Sequence, residues 1–433
     1  HYSLALAFDD VNYQSVRPAE QEDIREQWAE FLNGFDFSVS VKICLNAKAI
    51  DHNNFLSEMS LPDVPADPEG NEFRHELNDL ISSKLSASAK SMRRNRILVI
   101  TTEAASHDKA SRKLALVAQR ARRLLTNLDS EVHVMDGQDR LDSIACFTHP
   151  DYPEAKLTYD DLDSSIGLST RDLVAPSKVI RLEGENSSDL IVDNRYVRSY
   201  VLTAYGNTTS DELLPELTGL SCDVAVTMDI RPWDDGAAIA FAESHLFDIQ
   251  NENSGYKKSA SQPERGYIVD DENMPRKMKE AEQEAIAIRD ELVNGEERLF
   301  SLTTVVSVFA RSLSQLQEAC SEVESVFRER RLPNAESWSC LREQAFSTML
   351  PLGVCLVPYT RNLHTTPLAG FVPFTAVEIS DPGGLYMGVN ADTHNFITYD
   401  RERNEDSNCV VLGQPGKCKS FSTKMMQDEI SLR

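Results

Sequence analysis

The sequence predicts an α+β fold of two ferredoxin-like units, followed by the start of an α/β nucleotide-binding domain. The order strand, helix, strand, helix occurs near residues 36–128 and again at 222–330, and it predicts the two units. A glycine-containing loop, GQPGKCKS from Gly413, stands between an apolar run and a helical pattern, and it predicts the last domain. The residues of the two blocks do not repeat, so the similarity concerns their architecture alone.

The composition is typical of several globular domains and argues against some partners. A chain of 433 residues can form two or three domains, each with its own core. Its net charge of −25 argues against a surface that wraps nucleic acid throughout. Basic residues cluster at 91–96 and 120–123, where a solvated helix face is favoured over a nucleic-acid or lipid contact, so direct nucleic-acid contact stays open. The longest apolar runs are shorter than the ~18 to 20 residues of a membrane span.

The cysteines and histidines give no metal-ligand pattern. The eight cysteines form no CxxC pair, and no histidine stands at zinc-finger spacing from them. Scattered cysteines of this kind predict reduced, buried thiols in a cytosolic protein. His245 and His364 are predicted to be packed or exposed residues, not ligands.

Residues 1–150 are predicted to form an N-terminal α+β subdomain. A helix begins at Pro18 and closes at Gly34, because proline suits the first helical position. Residues 35–45 alternate as a strand does, and residues 60–71 hold three prolines and are predicted to be a loop. The remaining elements are, in order, a helix at about 72–91, a strand at 95–101, a helix at about 107–128, a strand at 131–135 and a short helix through Cys146.

Residues 151–186 are predicted to be a polar connector, and residues 187–365 a second α+β subdomain with a helical insertion. A hairpin turns at Asp193-Asn194, and Asp234 can cap a helix. The further elements of this subdomain are, in order, a short helix around 211–220, a strand at 222–230, a helix at 234–250, a polar break at 250–272, a helix at 274–293, a strand at 298–310, a helix at 312–330 and a helix that ends near Leu350.

Residues 366–433 are predicted to begin a P-loop nucleotide-binding domain. Short apolar runs between turns predict strands in this segment. Gly383, Gly384 and Gly388 are predicted to form a tight turn and a hairpin, since no helix follows them. The predicted strands are FVPFTAVEI from Phe371, GLYMGVN from Gly384, NFITYD from Asn395 and SNCVVLG from Ser407.

The loop after residue 412 carries the chemistry. It satisfies the pattern G-x-x-x-x-G-K-[ST] at Gly413, Lys419 and Ser420, with Cys418 in place of the second glycine. Backbone N–H groups and the start of the next helix would bind phosphate, Lys419 would reach the β- and γ-phosphates, and Ser420 would bind Mg²⁺. A glycine–proline turn with only a structural role is the alternative. The predicted nucleotide-binding residues are Gly413, Gln414, Pro415, Gly416, Lys417, Cys418, Lys419, Ser420 and Phe421, with ATP and Mg²⁺ as cofactors.

Several stretches resemble the cytoplasmic ATPase of conjugative type IV secretion systems, of the VirB/TraE type (TraC-like). The resemblance spans about residues 9–430 and is most specific in the last segment. The stretches that carry it include DDVNYQ from Asp9, DNRYVRSYVL from Asp193, ELTGLSCDVAVTMDIRPWD from Glu216, FVPFTAVEI from Phe371, GLYMGVNADTHNFITYDR from Gly384 and VVLGQPGKCKSFSTK from Val410.

The resemblance implies a RecA-like motor domain and a ring-shaped homo-oligomer at the cytoplasmic face of the bacterial inner membrane. Such motors work with other subunits of the secretion complex, contact the membrane through those partners, and power DNA or protein transfer or pilus assembly. The loop of that family reads G-x-P-G-x-G-K-S. Gly413, Pro415, Gly416, Lys419 and Ser420 match it, whereas Cys418 departs from it and is expected to weaken binding of ATP and Mg²⁺.

The ends of the chain predict a fragment. His1 is no natural start, and the sequence stops at Arg433, soon after the loop. The acidic strand ends and any arginine finger of such a motor would lie downstream, so hydrolysis by the fragment itself is not expected. The alternative function is a nucleotide-independent assembly or docking module of the secretion complex with a degenerate P-loop.

Overall fold

The structure is a computed structural model, and it describes most of the chain with several gaps. The described residues are 1–49, 60–87, 92–149, 158, 167, 169–205, 211–261, 269–270, 273–332, 335–375, 384–390, 395–400, 410–412, 414 and 419–432.

In the part of the chain that the structure describes, eleven strands form one large sheet, and every neighbouring pair in it is antiparallel. Two further strands form a separate hairpin. The strands of the large sheet are β1 (Tyr2–Phe8), β2 (Val39–Ala49), β3 (Met92–Thr102), β4 (Val132–Val134), β5 (Val179–Arg181), β6 (Asp189–Val192), β7 (Arg195–Leu202), β8 (Asp223–Pro232), β9 (Leu299–Ala310), β10 (Ala335–Glu336) and β11 (Arg361–His364), and the hairpin is β12 (Leu385–Val389) and β13 (Phe396–Tyr399).

The helices in the described part of the chain number twelve. They are α1 (Pro18–Asn33), α2 (Pro68–Ala87), α3 (His107–Asn127), α4 (Gly137–Thr148), α5 (Thr170–Val174), α6 (Leu213–Gly219), α7 (Asp235–Ala260), α8 (Arg276–Asn294), α9 (Leu313–Glu329), α10 (Arg342–Met349), α11 (Thr365–Ala369) and α12 (Lys419–Leu432).

The large sheet consists of two halves with the same strand order. The first half reads β4-β1-β3-β2, and the second reads β10-β7-β9-β8, with β6 and β5 extending it beyond β7. Strand β2 pairs with β8 and joins the halves, so that Ile43 lies opposite Met228 and Leu45 lies opposite Val226. In each half a helix connects the first strand to the second and another connects the third to the fourth.

The larger hydrophobic core lies on one face of the sheet, under α1, α3, α6, α9 and α11. Apolar residues at three- and four-residue spacing give α3 and α9 one buried stripe each. The aromatic centre of this core lies in the first half of the sheet. There the Trp28 ring stacks on Phe31 with 4.7 Å between ring centroids and meets the edge of Phe374 at 5.6 Å.

The opposite face is covered by α4, α10 and the segment 350–357. A lysine, Lys42, is buried beneath this segment, and its ammonium donates to the backbone oxygens of Thr348 at 2.9 Å and Val354 at 2.5 Å. Burial lowers the pKa of Lys42. Gly353 lies so close to the sheet that a Cβ there would stand 2.2 Å from the Thr101 hydroxyl. This segment therefore needs both the glycine and the lysine.

Local signals mark the ends of several helices. The Asp234 side chain accepts from the backbone N–H of Ala237 and caps α7, as the sequence predicted. Ser312 caps α9 in the same way. Helix α8 ends at Gly295, whose φ of 74° is in the left-handed region that favours glycine. The helices predicted at 234–250, 274–293 and 312–330 are all present.

The structure corrects several predicted boundaries. Residues 151–186 were predicted to be a polar connector, but helix α5 and strand β5 lie within this range, and β5 pairs with β6. Helix α7 continues to Ala260, ten residues past the predicted break, and in this extension the buried Asn253 amide donates to the Glu282 side chain of α8 at 2.7 Å. Helix α2 begins at Pro68, inside the predicted loop, since proline is tolerated in the first turn. Strand β2 begins at Val39, four residues later than predicted.

Candidate functional site

Helix α12 is the part of the predicted phosphate-binding site that the structure describes best. It begins at Lys419, where the sequence predicted a helix, and runs for 14 residues. Lys419 and Ser420 therefore lie in its first turn, and both side chains are exposed. The first N–H groups of a helix lack partners within it and carry a partial positive charge, so this end of α12 suits an anion.

The loop in front of α12 falls largely outside the described residues. Gln414 is exposed and lies in no helix or strand, and the Phe421 backbone lies in α12, while its side chain is outside the description. The remaining predicted site residues, Gly413, Pro415, Gly416, Lys417 and Cys418, lie outside the described residues.

The strand predicted in front of the loop is not observed where the structure describes it. Val410, Val411 and Leu412 belong to no strand and are exposed, with 80% of Val410 and 88% of Leu412 accessible to solvent. Asn408 and Cys409 lie outside the described residues. An apolar run becomes a strand only when a neighbouring strand pairs with it, and here the described residues supply none.

The hairpin β12–β13 lies beside α12 and is fastened to the large sheet. Helix α12 packs against β12 and α2. The Asn395 amide donates to the backbone oxygen of Met92 at 2.9 Å and accepts from the Met92 N–H at 2.8 Å, so it bonds β3 in both directions. A Cβ at Gly384 would stand 2.7 Å from the Tyr399 backbone, which explains a glycine at that end of the hairpin. The strands predicted from Gly384 and Asn395 are present and pair as a hairpin, whereas Gly383 of the predicted tight turn lies outside the described residues.

A buried ionic cluster ties the segment 371–375 to the first half of the sheet. Arg96 and Asp10 form an ion pair with both side chains less than a tenth exposed. Asp10 also accepts from the Thr375 N–H at 2.7 Å and from the Thr375 hydroxyl, and Arg96 donates to the Pro373 backbone oxygen at 2.8 Å. Residues 371–375 were predicted to begin a strand; they are buried but lie in no strand. Besides these side-chain bonds, the Thr375 backbone oxygen accepts from the N–H groups of Tyr13 and Gln14 at 3.2 and 2.9 Å.

A second polar cluster ties the second half of the sheet to residues 361–366. Glu297 accepts from the His364 ring at 3.0 Å, from the Thr366 N–H at 2.9 Å and from the Thr366 hydroxyl at 2.5 Å. One ligand-type atom each of Glu291, Glu297 and His364 lies within 4.8 Å of the others. Glu297 caps the start of α11, so we interpret the cluster as a structural link.

The pKa values of the buried thiols argue against cysteine chemistry. Burial raises the pKa of Cys44, Cys146 and Cys320 to about 11 each, so the thiolate is scarce at neutral pH. Six cysteines are free thiols in the described residues, and Cys340 is exposed, contrary to the expectation of burial.

Sequence patterns could not show either polar cluster, because their members are far apart in the chain. Asp10 and Thr375 are separated by 365 positions, and Glu297 and His364 by 67.

Among the described residues, no helix has both the length and the apolar character needed to cross a membrane. No protein family matches the chain, and no curated protein matches it either.

Proposed function

We propose that the chain belongs to an ATP-binding motor component of a conjugative type IV secretion system. In its complete form this motor would power DNA or protein transfer, or pilus assembly. One observation carries the nucleotide-binding part: α12 begins at Lys419, directly after the sequence GQPGKC, and presents Lys419 and Ser420 in an exposed first turn. The secretion-system part rests on the resemblance of the segments named above.

In this proposal the nucleotide phosphates lie against the N-terminus of α12. The N–H groups of the loop and of the first turn would bind the phosphate oxygens. Lys419 would neutralise the β- and γ-phosphates, and the Ser420 hydroxyl would be a ligand of Mg²⁺. Both side chains project from a helix, which holds their spacing fixed.

We further propose that the two halves of the large sheet are ferredoxin-like units and that α12 is the first helix of a RecA-like domain. The strand orders β4-β1-β3-β2 and β10-β7-β9-β8, each with two connecting helices, support the first part. The loop sequence and the helix after it support the second. The assembly would be a homo-oligomeric ring that contacts other secretion subunits at the cytoplasmic face of the inner membrane.

A nucleotide-independent assembly module is the second candidate function, and Cys418 favours it. Phosphate loops use glycine here so that the backbone can close tightly around the phosphates. A cysteine adds a Cβ and a sulfur at that point. If the backbone conformation is one that only glycine adopts freely, the strain is about 1 to 3 kcal/mol, or roughly five- to a hundredfold in affinity.

Binding of a fluorescent ATP analogue with Mg²⁺ tests the proposal on the chain as it stands. Cys418→Gly should tighten binding about five- to a hundredfold. Lys419→Ala in that background should abolish it. Lys424→Ala is the matched control, because Lys424 is an exposed lysine on the same helix that lies outside the loop pattern, and it should leave binding unchanged.

The outcomes separate the two candidate functions. If the Cys418→Gly protein binds no nucleotide, the loop is a structural turn and the assembly module is the better explanation. If Lys424→Ala weakens binding as much as Lys419→Ala does, the contact is nonspecific charge attraction and the phosphate-loop assignment fails.

A further inference from the structure

Helix α3 presents a strongly basic face on a chain that is acidic as a whole. It carries six basic residues and a single acidic one, Asp108, whereas the chain has a net charge of −25. Five of the basic residues and Leu116 lie along one face of the helix, because Leu116 is three or four positions from Arg112, Lys113 and Arg120. Leu116 is 69% exposed. The basic residues are Lys109, Arg112, Lys113, Arg120, Arg122 and Arg123. Lys113 donates to the Ser38 backbone oxygen at 2.7 Å and lies close enough to Asp36 to help lower the pKa of that carboxyl.

An apolar pocket opens beside this basic face, between α1 and α3. Its volume is about 190 Å³. The lining is mostly apolar, with the charged side chains of Arg120 and Asp36 beside Phe31, Phe35, Val117 and Leu124. Small-molecule sites are usually larger, about 300 to 1,000 Å³. A pocket of this size next to a basic surface instead fits one large apolar side chain of a partner protein.

Helix α7 presents complementary features. Its residues 235–252 include four acidic side chains, Asp235, Glu243, Asp248 and Glu252, and neither lysine nor arginine. Phe247, which is 63% exposed, lies among these acidic residues. Because buried residues of α7 face α8, as in the 2.7 Å bond from Asn253 to Glu282, the acidic face with Phe247 points away from the rest of the helix pair.

We propose that the basic face of α3 docks on the acidic face of α7 in a second copy of the chain, with Phe247 entering the pocket between α1 and α3. Opposite charges at the rim would orient the two copies, and the aromatic side chain would supply the buried anchor. The two surfaces differ, so the contact can close a pair or build a ring. The interface rests on the self-association in the proposed function, but it does not need nucleotide.

One combination of features favours a second copy over another anionic partner. The pocket beside the basic face fits an apolar anchor next to acidic groups, and α7 of a second copy supplies both, with Phe247 among its acidic residues. Helix α9 is also acidic, with Glu318, Glu322 and Glu324, but it has no large apolar side chain that is exposed. Helix α7 has both the charge and the aromatic anchor.

Sedimentation velocity of charge-reversed variants tests the contact. The first variant is Arg120→Glu with Arg123→Glu, and the second is Asp248→Lys with Glu252→Lys. Each should weaken self-association at least about tenfold, because like charges then face each other. An equimolar mixture of the two should associate again, since each reversed face meets a complementary face on the other protein.

Three controls accompany the reversals. Glu318→Lys with Glu322→Lys, on α9, changes the charge by the same amount as the second variant and should leave self-association unchanged. Phe247→Ser should weaken it without altering the charge. Lys419→Ala should leave it unchanged, so that a failure of nucleotide binding and a failure of this interface give different results. Circular dichroism should show the wild-type helix content in every variant.

Other outcomes overturn the proposal. A wild-type chain that stays monomeric up to about 100 µM has no such interface. Self-association that survives both reversals, or that the mixture does not restore, uses other surfaces. If a monomeric wild-type chain binds phosphatidylserine vesicles or single-stranded DNA, and the Arg120→Glu, Arg123→Glu variant does not, the basic face serves a lipid surface or a nucleic acid instead.

Discussion

The two halves of the large sheet share a strand order, but they differ in what they expose. Both place a helix after the first strand and another after the third, and both bury an apolar stripe of that second helix. The second helix of the first half, α3, is basic, whereas its counterpart α9 carries four glutamates and one arginine. The buried apolar stripes of the two helices are thus alike and fit the shared architecture, while their exposed residues differ in charge.

The insertions between the second and third strands differ as well. The first half carries α2, which packs against α12, whereas the second half carries the helix pair α7–α8. The connection between the second and third strands thus contacts the helix of the candidate nucleotide site in the first half, and it carries the acidic face of α7 in the second half. Insertions at such connections change the surface without disturbing the sheet, because the flanking strands remain paired.

Both halves are tied to the segment that leads toward the candidate nucleotide site, through different chemistry. The first half uses the buried ion pair of Asp10 and Arg96 on Thr375. The second half uses Glu297, which is bonded to His364 and Thr366. Breaking one link at a time therefore tests how much each half contributes to the stability of the protein and to the position of this segment.

The largest expected effect comes from truncating the core of either half. Trp28→Ala in the first half and Phe327→Ala in the second should each lower the free energy of unfolding by about 3 to 5 kcal/mol, because a large buried side chain is lost. Since β2 and β8 join the halves, each variant should unfold in a single shifted transition. Urea denaturation followed by circular dichroism measures this.

The control for these truncations is Phe37→Ala. Phe37 is 64% exposed, so its loss should change the free energy of unfolding by less than about 0.5 kcal/mol. Two separate transitions, of which only one responds to each truncation, would show that the halves fold independently in spite of the shared sheet.

The next effect is loss of the ionic link in the first half. Asp10→Ala should cost about 3 kcal/mol, because the buried Arg96 loses the carboxylate with which it forms its ion pair. It should also expose residues 371–375 to limited proteolysis, since the Thr375 N–H loses its acceptor. Arg96→Met in the same background should recover much of the stability.

A comparison within the second half makes this prediction specific. Asp189 is fully buried and bonds Arg198 at 2.6 and 2.9 Å, so Asp189→Ala should destabilise the protein by a similar amount. That pair joins β6 to β7 and does not touch 371–375. Cleavage at 371–375 in the Asp189→Ala protein would therefore contradict the assignment of the link to Asp10.

A smaller effect, dependent on pH, is expected at Glu297. Burial raises the pKa of Glu297, but the hydrogen bonds from His364 and Thr366 outweigh it, so the pKa lies below its ordinary value of 4.5. A lowered carboxyl pKa stabilises the fold above pH 4.5 and loses that contribution as the pH falls through the folded-state value. Glu297→Gln should therefore cost about 1 to 2 kcal/mol at pH 7 and progressively less below pH 4.5.

The free energy of unfolding, measured from about pH 3 to pH 8 on wild type and on Glu297→Gln, checks that the stability difference between them shrinks as the pH falls. Glu296→Gln is the matched control, because Glu296 is the adjacent glutamate in the chain and is exposed. A difference between wild type and Glu297→Gln that stays constant across the acid range would mean that ionisation of Glu297 does not contribute to stability.

The smallest effect concerns the exposed charges that distinguish α3 from α9. Arg122→Glu and Glu318→Lys should each change the free energy of unfolding by less than about 0.5 kcal/mol, because exposed charges contribute little. Thermal unfolding at low protein concentration measures this without interference from self-association. A larger loss in either variant would show that the charge difference serves the fold of that half.

Much of the fold could be predicted from the sequence, and less of the candidate site. Helices α3, α8 and α9 follow three- and four-residue apolar spacing, and the Asp234 cap and Gly295 stop are local signals. For the site, the start of α12 at Lys419 was predicted, whereas the strand before the loop was wrong at residues 410–412. The Asp10 and Glu297 links left no signal in the sequence, because their partners are hundreds or tens of positions away.

The sequence by itself determined where most of the helices and long strands lie, because helix and strand periods, caps and turns depend on residues a few positions apart. Only the tertiary structure decided how they combine. It joined the halves at β2 and β8, added β5 to the sheet edge, and buried 371–375 without a strand. The physical reason is that strand pairing and buried ion pairs depend on which distant surfaces meet, and a local apolar pattern fits many such partners equally well.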